Sequence, residues 1–153
     1  MFPRISKRGQ DPRYYEIIMV ITDPIADMLM RIRNAGAAGK KTTLVPFSDV
    51  KLRIANLLVK EGYVTYVTKK IRKGKTSMRV LEVGICYDAP RIPRVKGTER
   101  ISRPSRRMYI GAKEIRPVHQ GHGLMVLSTP KGMLSDVEAR KEHVGGEIIC
   151  KIW

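Results

Sequence analysis

The sequence predicts an α+β fold of two small domains, an N-terminal α-β-α-β-β unit and a C-terminal unit that is mostly β with short helices. In the first half, apolar residues recur at helical spacing in two segments that start with capping residues. In the second half, short β-branched and aromatic runs alternate with glycine turns. Two prolines between Asp88 and Arg94 interrupt any regular period, and we place the domain boundary there.

Two helices are predicted in the first half. Asp23 is expected to cap the first helix, which begins at Pro24 and ends near Gly36. Ser48 is expected to cap the second helix, which Gly62 ends. The apolar face of the second helix is predicted to contain Val50, Ile54, Leu57 and Leu58, and its other face Lys51 and Lys60.

Short strands make up most of the remaining predicted structure. In the first half they cover residues 43–45, 63–68 and 81–85, and the last two flank a basic hairpin loop at residues 69–75. In the second half they cover residues 107–110, 124–129 and 148–153, with turns at 121–123 and 145–146. Ser135 and Glu138 match a capping box, which predicts a short helix ending before Gly145.

Positive charge is the strongest compositional signal, because 30 lysines and arginines against 14 acidic residues give a net charge of +16. Half of the basic residues lie in two segments, six in residues 69–79 and nine in residues 91–116. Charge concentrated in this way favours binding to a phosphate backbone through counterion release. The first predicted partner is therefore nucleic acid and the second an anionic membrane surface, with a solvated charged face as the alternative.

Other classes of function find little support. The longest apolar run, residues 17–21, is far shorter than the roughly 20 residues that cross a bilayer. An enzyme would have to use histidines and cysteines that match no zinc or catalytic motif, namely His119, His122, His143, Cys86 and Cys150. We therefore predict no catalytic residue, no metal and no cofactor. Both cysteines are predicted to be reduced and buried, in a protein of a cytoplasm or an organelle interior.

Residues 128–132, Ser-Thr-Pro-Lys-Gly, are the best candidate for specific recognition. Small hydroxyls end a predicted strand, a proline and a glycine shape a tight turn, and Lys131 projects beside them. Hydroxyls can bind base edges or ribose hydroxyls in a shallow groove, and lysine can reach phosphate. The alternative is a common turn without a role in binding.

Four sequence blocks occur in an order that one family shares: TDPIADMLMRIRNA at residues 22–35, ISRP at 101–104, LSTPKG at 127–132 and GGEI at 145–148. The chain thereby resembles bacterial-type small-subunit ribosomal protein eight. The resemblance implies two α/β-type domains, no catalysis and no small-molecule substrate. It implies a structural protein that binds a central-domain stem of 16S ribosomal RNA, helps to assemble the 30S platform beside neighbouring ribosomal proteins, and belongs to a cytoplasmic or an organelle ribosome.

The resemblance also implies which residues bind RNA. In that family a hydroxyl-rich turn enters the minor groove of the RNA stem, helped by a tyrosine and a glutamate. Carried over to this chain, these residues are Ser128, Thr129, Lys131, Tyr109 and Glu147. The basic residues expected to bind RNA as well are Arg103, Arg106, Arg107, Arg31, Arg33 and Lys51. By pattern alone, Tyr109 is equally a half-buried strand residue, and Glu147 is expected to orient hydroxyls or a lysine.

The chain departs from the family pattern at three positions. Pro130 stands where the family usually has its second serine, so one hydroxyl contact is missing. Ser105 replaces a usual glycine, and Asp49 stands where the second helix usually begins with lysine. Asp49 either places negative charge near phosphate or supports the N-terminus of its own helix.

The predicted organisation has four segments. Residues 1–18 are a flexible N-terminal extension, 19–88 an N-terminal α/β domain, 89–100 a linker and 101–153 a mostly β RNA-binding domain. The extension is interpreted as sequence ahead of a start at Met19, with an RNA-threading tail or a transit peptide as alternatives. A general RNA chaperone that binds without sequence preference remains the rival to a ribosomal protein.

Overall fold

The computed structural model describes residues 23–153, and the predicted α-β-α-β-β order of the first half is confirmed there. The elements are α1 (Pro24–Ala37), β1 (Thr42–Pro46), α2 (Asp49–Lys60), β2 (Val64–Arg72) and β3 (Met78–Ile85). The three strands form an antiparallel sheet in the order β1-β3-β2. The predicted extension, residues 1–18, lies outside the described residues.

The second half is mostly β, as predicted. Its elements are β4 (Tyr87–Ala89), β5 (Ile92–Pro93), β6 (Thr98–Arg100), β7 (Tyr109–Ile110), β8 (Leu124–Thr129), β9 (Gly132–Ser135), α3 (Asp136–Lys141) and β10 (Gly146–Ile152). Strands β4 and β5 form a small hairpin, and the others form a sheet in the order β6-β10-β8-β9, with β7 also paired to β10. Strand β10 therefore runs through the middle of this sheet.

Helix α1 forms as its sequence predicts. The Asp23 carboxylate accepts a hydrogen bond from the Ala26 amide at 3.3 Å, and Pro24 occupies the first turn. Asp27 and Arg31, four residues apart, form the expected ion pair at 2.8 Å. The buried positions are Met28, Leu29, Ile32, Ala35 and Gly36.

Helix α2 is capped by Ser48 as predicted, and Ile54, Leu57 and Leu58 are buried as predicted, but the first turn differs from the prediction. Lys51 is only 4% exposed, whereas Val50 is 42% exposed. The buried positions, Lys51, Ile54, Ala55, Leu57 and Leu58, follow the spacing of a single helix face. The prediction is wrong because it sorted the first turn by polarity, although the long apolar stem of a lysine packs well when its amine finds a carbonyl.

The basic hairpin is more regular than predicted. Strands β2 and β3 pair as far as Arg72 opposite Met78, so residues 69–72 are strand and not loop. Lysine and arginine are weak strand formers, which is why their run was interpreted as a loop. Pairing with β3, whose residues 80–85 are mostly buried, extends β2 despite this composition.

Gly146 is the first residue of β10 and not part of a turn, which corrects the turn predicted at residues 145–146. A Cβ atom on Gly146 would lie 2.1 Å from the Ser128 carbonyl oxygen and 3.1 Å from the Thr129 Cα. Glycine is needed here because β10 passes very close to the end of β8.

A shared apolar core joins the two halves of the chain. It contains Leu58 of α2 and Val83 of β3 from the first half, and Val126 of β8 and Ile152 of β10 from the second. A second cluster lies under α3 on the other face of the C-terminal sheet. Residues 89–100, expected to be a linker, include β6, which pairs with β10.

Candidate nucleic-acid interface

Side chains from four strands of the C-terminal sheet form a line that we call the cross-strand row. Antiparallel pairing places Tyr109 of β7 and Ser128 of β8 on either side of Glu147 of β10. On the far side of Ser128 lies Met133 of β9. Residues opposite one another in an antiparallel sheet point to the same face. The fold therefore assembles three of the predicted RNA-binding residues, which are distant in sequence.

The row ends in an exposed aromatic ring. Tyr109 is a strand residue, as one interpretation expects, but at 71% exposure it is not half-buried. Glu147 and Ser128 are partly buried beside it. The Ser128 hydroxyl has no hydrogen-bond partner among residues 23–153. An open ring next to a hydroxyl with unused bonding capacity suits contact with a nucleotide.

The Ser128 turn, residues 128–132, is a tight β8-β9 connection with Pro130 and Lys131 between the strands. Thr129 Oγ1 donates a hydrogen bond to the Gly132 carbonyl at 2.9 Å and accepts one from the Lys131 amide at 3.2 Å. Gly132 has a φ of 110°, a conformation that favours glycine. The Thr129 hydroxyl therefore helps to hold the turn in shape.

Lys131 extends from this turn into solvent and binds Glu142. The Lys131 Nζ to Glu142 Oε2 distance is 2.7 Å, and about half of each side chain is exposed. The hydrogen bond from Lys131 lowers the pKa of the Glu142 carboxyl. Because an exposed ion pair contributes little in water, Lys131 can exchange this partner for a phosphate at small cost.

The arginine loop, residues 102–108, lies beside the row. The buried Ser102 anchors it, since its hydroxyl accepts a hydrogen bond from the Met108 amide at 2.8 Å. Arg103 and Arg106 exchange backbone hydrogen bonds of 2.9 and 3.0 Å, which close a tight turn. Both arginine side chains are exposed at the end of this turn.

Arg107 links the arginine loop to the cross-strand row. Its Nη1 donates a hydrogen bond to Glu147 Oε1 at 2.9 Å. This bond, together with the charge of Glu147, raises the pKa of the Arg107 guanidinium. Glu147 thus orients an arginine, whereas the sequence predicts that it orients hydroxyls or a lysine; its neighbour Ser128 makes no hydrogen bond to it among residues 23–153.

The start of α1 lies close to the arginine loop and contacts Arg100, the last residue of β6 just before it. Arg100 Nε contacts Asp23 Oδ2 at 3.0 Å, and only 8% of the Arg100 side chain is exposed. A cavity of about 360 Å³ between the two elements is also lined by Arg103 and Ser105. Ser105 therefore stands at the junction of the N-terminal helix and the arginine loop.

The predicted RNA-binding residues of the first half are not part of this surface. Arg31 binds Asp27 and also donates a hydrogen bond to the Leu44 carbonyl at 3.2 Å. Arg33 is half-buried on α1, and its role stays a prediction. Asp49 lies exposed in the first turn of α2, where a negative charge stabilises a helix.

Lys51 is wrong as an RNA-binding residue. Its Nζ donates a hydrogen bond to the Pro46 carbonyl at 3.1 Å from a buried position. Burial lowers the pKa of the Lys51 amine, although the nearby Asp27 acts in the opposite direction. The lysine is a structural residue that packs the start of α2 onto β1.

The sequence interpretation missed two residues of the site. Met133 faces Ser128, and the register of a hairpin with a two-residue connection implies this position. Ser102 was inside a quoted block, but only the fold shows its buried hydroxyl bound to residue 108.

Residues 23–153 contain no group of three or more histidine, cysteine or acidic side chains that could hold a metal ion. Cys86 and Cys150 are both free, and Cys86 is half-buried where a buried cysteine was expected. Burial raises the pKa of the Cys150 thiol to about 12. Within the same residues, no helix is long and apolar enough to cross a membrane.

Comparison with known proteins identifies the family of this chain. A family model described as Ribosomal protein S8 matches residues 23–153. Small ribosomal subunit protein uS8 of Persephonella marina is 44% identical over 136 residues, which cover 88% of this chain and 100% of the relative. The proteins of the same name from Deinococcus deserti and Thermus aquaticus are each 48% identical, with the same coverage of both chains.

A basic α+β fold with exposed arginines clustered on one loop has the electrostatic features of a nucleic-acid-binding protein. With these matches, the chain belongs to the ribosomal protein S8 family. The family expected from the four sequence blocks is confirmed. Members of this family are structural ribosomal proteins, and their general role is to bind ribosomal RNA.

Proposed function

We propose that this chain is a structural component of the small ribosomal subunit and binds a stem in the central domain of 16S ribosomal RNA. The observation that carries the proposal is the cross-strand row, which aligns Tyr109, Glu147 and Ser128 next to the arginine loop. A row of this kind supplies both a shape and hydrogen-bonding groups for a shallow groove.

The two parts of the surface have different tasks. The Ser128 hydroxyl and the Tyr109 ring are suited to base edges and ribose hydroxyls, which carry information on sequence and shape. The exposed Arg103, Arg106 and Lys131 are suited to phosphates, which position the protein without specifying sequence. Glu147 holds Arg107 in place and does not itself contact phosphate.

The proposal includes the cellular setting. Bound to 16S ribosomal RNA, the protein would contribute to assembly of the 30S platform beside neighbouring ribosomal proteins. The relatives named above come from bacteria, and a cytoplasmic ribosome is the proposed location. No catalytic step is part of the proposed role.

Footprinting of the full chain on naked 16S ribosomal RNA tests the proposal. We expect protection concentrated in one central-domain stem, and an affinity for that stem that exceeds the affinity for bulk RNA by orders of magnitude. Protection spread evenly along the RNA, with equal affinity for unrelated stems, would instead identify a general RNA chaperone.

A further inference from the structure

A second basic surface lies on the sheet of the first half, whereas the cross-strand row lies on the C-terminal sheet. We call residues 69–79 the hairpin tip, because they form the outer end of the β2-β3 ribbon, most of which has no β1 residue beside it. Strand β1 accompanies β3 only from Gly84 to Val80, whereas β2 continues to Arg72 opposite Met78. Apart from Met78, every residue of the hairpin tip is exposed. It contains six basic residues and no acidic residue.

The positive charge of the hairpin tip is only partly compensated. Lys70 Nζ binds Glu82 Oε2 at 2.6 Å. Lys69 and Arg79 lie over the Phe47 ring, 5.5 and 5.0 Å from its centroid. The remaining three, Arg72, Lys73 and Lys75, have no carboxylate within 4.0 Å among residues 23–153. These three cations form an uncompensated group at the end of the hairpin.

The arrangement of α2 separates the hairpin tip from the C-terminal sheet. Helix α2 starts just after Phe47, which Lys69 contacts, and its last residue, Lys60, binds Glu138 of α3. Its 12 residues span about 18 Å. From Lys69 the strand continues for three more residues to Arg72, which adds about 10 Å. The hairpin tip and the contact with α3 therefore lie at opposite ends of α2.

The composition of the hairpin tip matches phosphate better than protein. The core of a protein interface is usually depleted in charged residues and enriched in aromatic ones. The hairpin tip has the opposite composition, with Ile71 as its one large exposed apolar side chain among six cations. Basic side chains on a projecting ribbon bind a phosphate backbone without reading its sequence.

We propose that the hairpin tip is a second RNA-binding site, which binds the phosphate backbone of a ribosomal RNA helix other than the stem held at the Ser128 turn. This inference rests on the proposed function, since it concerns the same RNA. Once the first site is bound, the second contact becomes intramolecular and acts at a high effective concentration. The protein would thereby fix the relative position of two RNA helices.

Neutralising the three uncompensated cations tests the proposal in the full chain. The test variant is Arg72→Gln, Lys73→Gln, Lys75→Gln. A matched control, Lys40→Gln, Lys41→Gln, Lys141→Gln, also removes three exposed positive charges. Lys41 lies at the opposite end of the sheet, where its carbonyl accepts a hydrogen bond from the Ile85 amide. Affinity is measured across a salt series for complete 16S ribosomal RNA and for the isolated central-domain stem.

We expect the test variant to bind 16S ribosomal RNA about 100-fold more weakly near 0.1 M salt, with a salt slope reduced by about 2 to 3. The affinity of the test variant for the isolated stem should stay within about twofold of that of the original chain. The control should bind both 16S ribosomal RNA and the isolated stem within about twofold of the original chain. An equal loss on the stem and on 16S ribosomal RNA would overturn the proposal. The proposal would also be overturned if the test variant bound 16S ribosomal RNA as well as the original chain but was no longer retained in reconstituted subunits. That result would assign the hairpin tip to a protein partner.

A positional experiment separates this proposal from the first. The variant Lys73→Cys carries an iron-based RNA cleavage reagent, and the same treatment of the original chain accounts for Cys86. We expect cuts in a helix outside the central-domain stem. Cuts confined to that stem, or none, would overturn the second site. The proposed function fails separately, if the original chain does not prefer the stem over bulk RNA.

Discussion

The Ser128 hydroxyl tests the binding role of the cross-strand row most directly. In Ser128→Ala, a small side chain remains at the end of β8, so the fold should persist. Affinity for the central-domain stem should fall by about 1 to 2 kcal/mol, the loss of a hydrogen bond at a desolvated site. Isothermal titration gives the affinity and calorimetry the melting temperature. A lower melting temperature with unchanged affinity would make Ser128 a structural residue.

Pro130→Ser is the matched change within the same turn. It introduces the hydroxyl that the family usually has, so we expect a gain in affinity where Ser128→Ala shows a loss. Proline fixes φ and lowers the entropy cost of ordering the turn, which limits the gain. The same two measurements, on the same RNA stem, compare both variants.

Lys51 offers a residue-scale prediction on stability and pH. Burial lowers the pKa of its amine, so the charged lysine destabilises the fold fully below the lowered pKa and no longer does so above the usual value of 10.5. The original chain should therefore gain stability as pH rises toward 10.5, whereas Lys51→Met lacks this gain. We expect the difference in unfolding free energy, Lys51→Met minus the original chain, to decrease over this range. RNA affinity at neutral pH should stay within about twofold, because the residue is buried.

Lys60→Met on the same helix is the control, because the pKa of the Lys60 amine is shifted in the opposite direction. The hydrogen bond to Glu138 raises the pKa of the exposed Lys60 amine, so its stabilising contribution is present at neutral pH and is lost as pH rises through the raised value. The corresponding difference for Lys60→Met should therefore stay constant up to pH 10.5 and increase only above it. Urea unfolding between pH 7 and 10.5 should show a falling difference for Lys51→Met and a constant one for Lys60→Met, and parallel trends would contradict the assignment.

At the scale of elements, the close approach of β10 to β8 depends on Gly146. The Cβ of Gly146→Ala would meet the Ser128 carbonyl at 2.1 Å, so the two strands must move apart next to the Ser128 turn. We expect a loss of about 1 to 3 kcal/mol in stability and a parallel loss of RNA affinity. Gly74→Ala is the control, since its nearest contact would be 3.7 Å away. Full affinity in folded Gly146→Ala would show that the row tolerates displacement.

How well the elements could be predicted depended on local signals. The caps at Asp23, Ser48 and Ser135 fixed the helix starts, because a capping side chain and the backbone it binds are close in sequence. The extent of β2 and the strand position of Gly146 depend on pairing with distant strands. Local propensity carries no information on such pairing, so both were misplaced.

The same distinction applies to the site. The Ser128 turn was recognisable from adjacent residues. The contact of Arg107 with Glu147 joins positions 40 residues apart and needed the register of β7, β8 and β10. Lys51 was misassigned because its charge suggested a ligand, whereas its burial depends on the packing of α2 over β1.

At the scale of the whole molecule, the shared core bears on how independent the two predicted domains are. Leu58 of α2 is fully buried in the same cluster as Ile152 of β10. The Arg100 side chain links β6 to Asp23 at the start of α1. Contacts of this kind couple the two halves energetically, since neither half can lose its packing without exposing apolar surface of the other. We therefore expect the described part of the chain to unfold in one step.

Leu58→Ala tests this coupling with a natural probe. Trp153, the single tryptophan, lies in the second half, where its ring centroid is 4.5 Å from that of His119. Leu58→Ala removes buried surface in the first half and should destabilise the chain by about 2 to 5 kcal/mol. If unfolding is cooperative, urea titrations followed by Trp153 fluorescence and by far-ultraviolet circular dichroism should shift to the same new midpoint. Val137→Ala, at a 43% exposed position on α3, should shift neither by much. A fluorescence midpoint that stays in place while the dichroism midpoint falls would show that the halves unfold separately, as independent domains on a linker would.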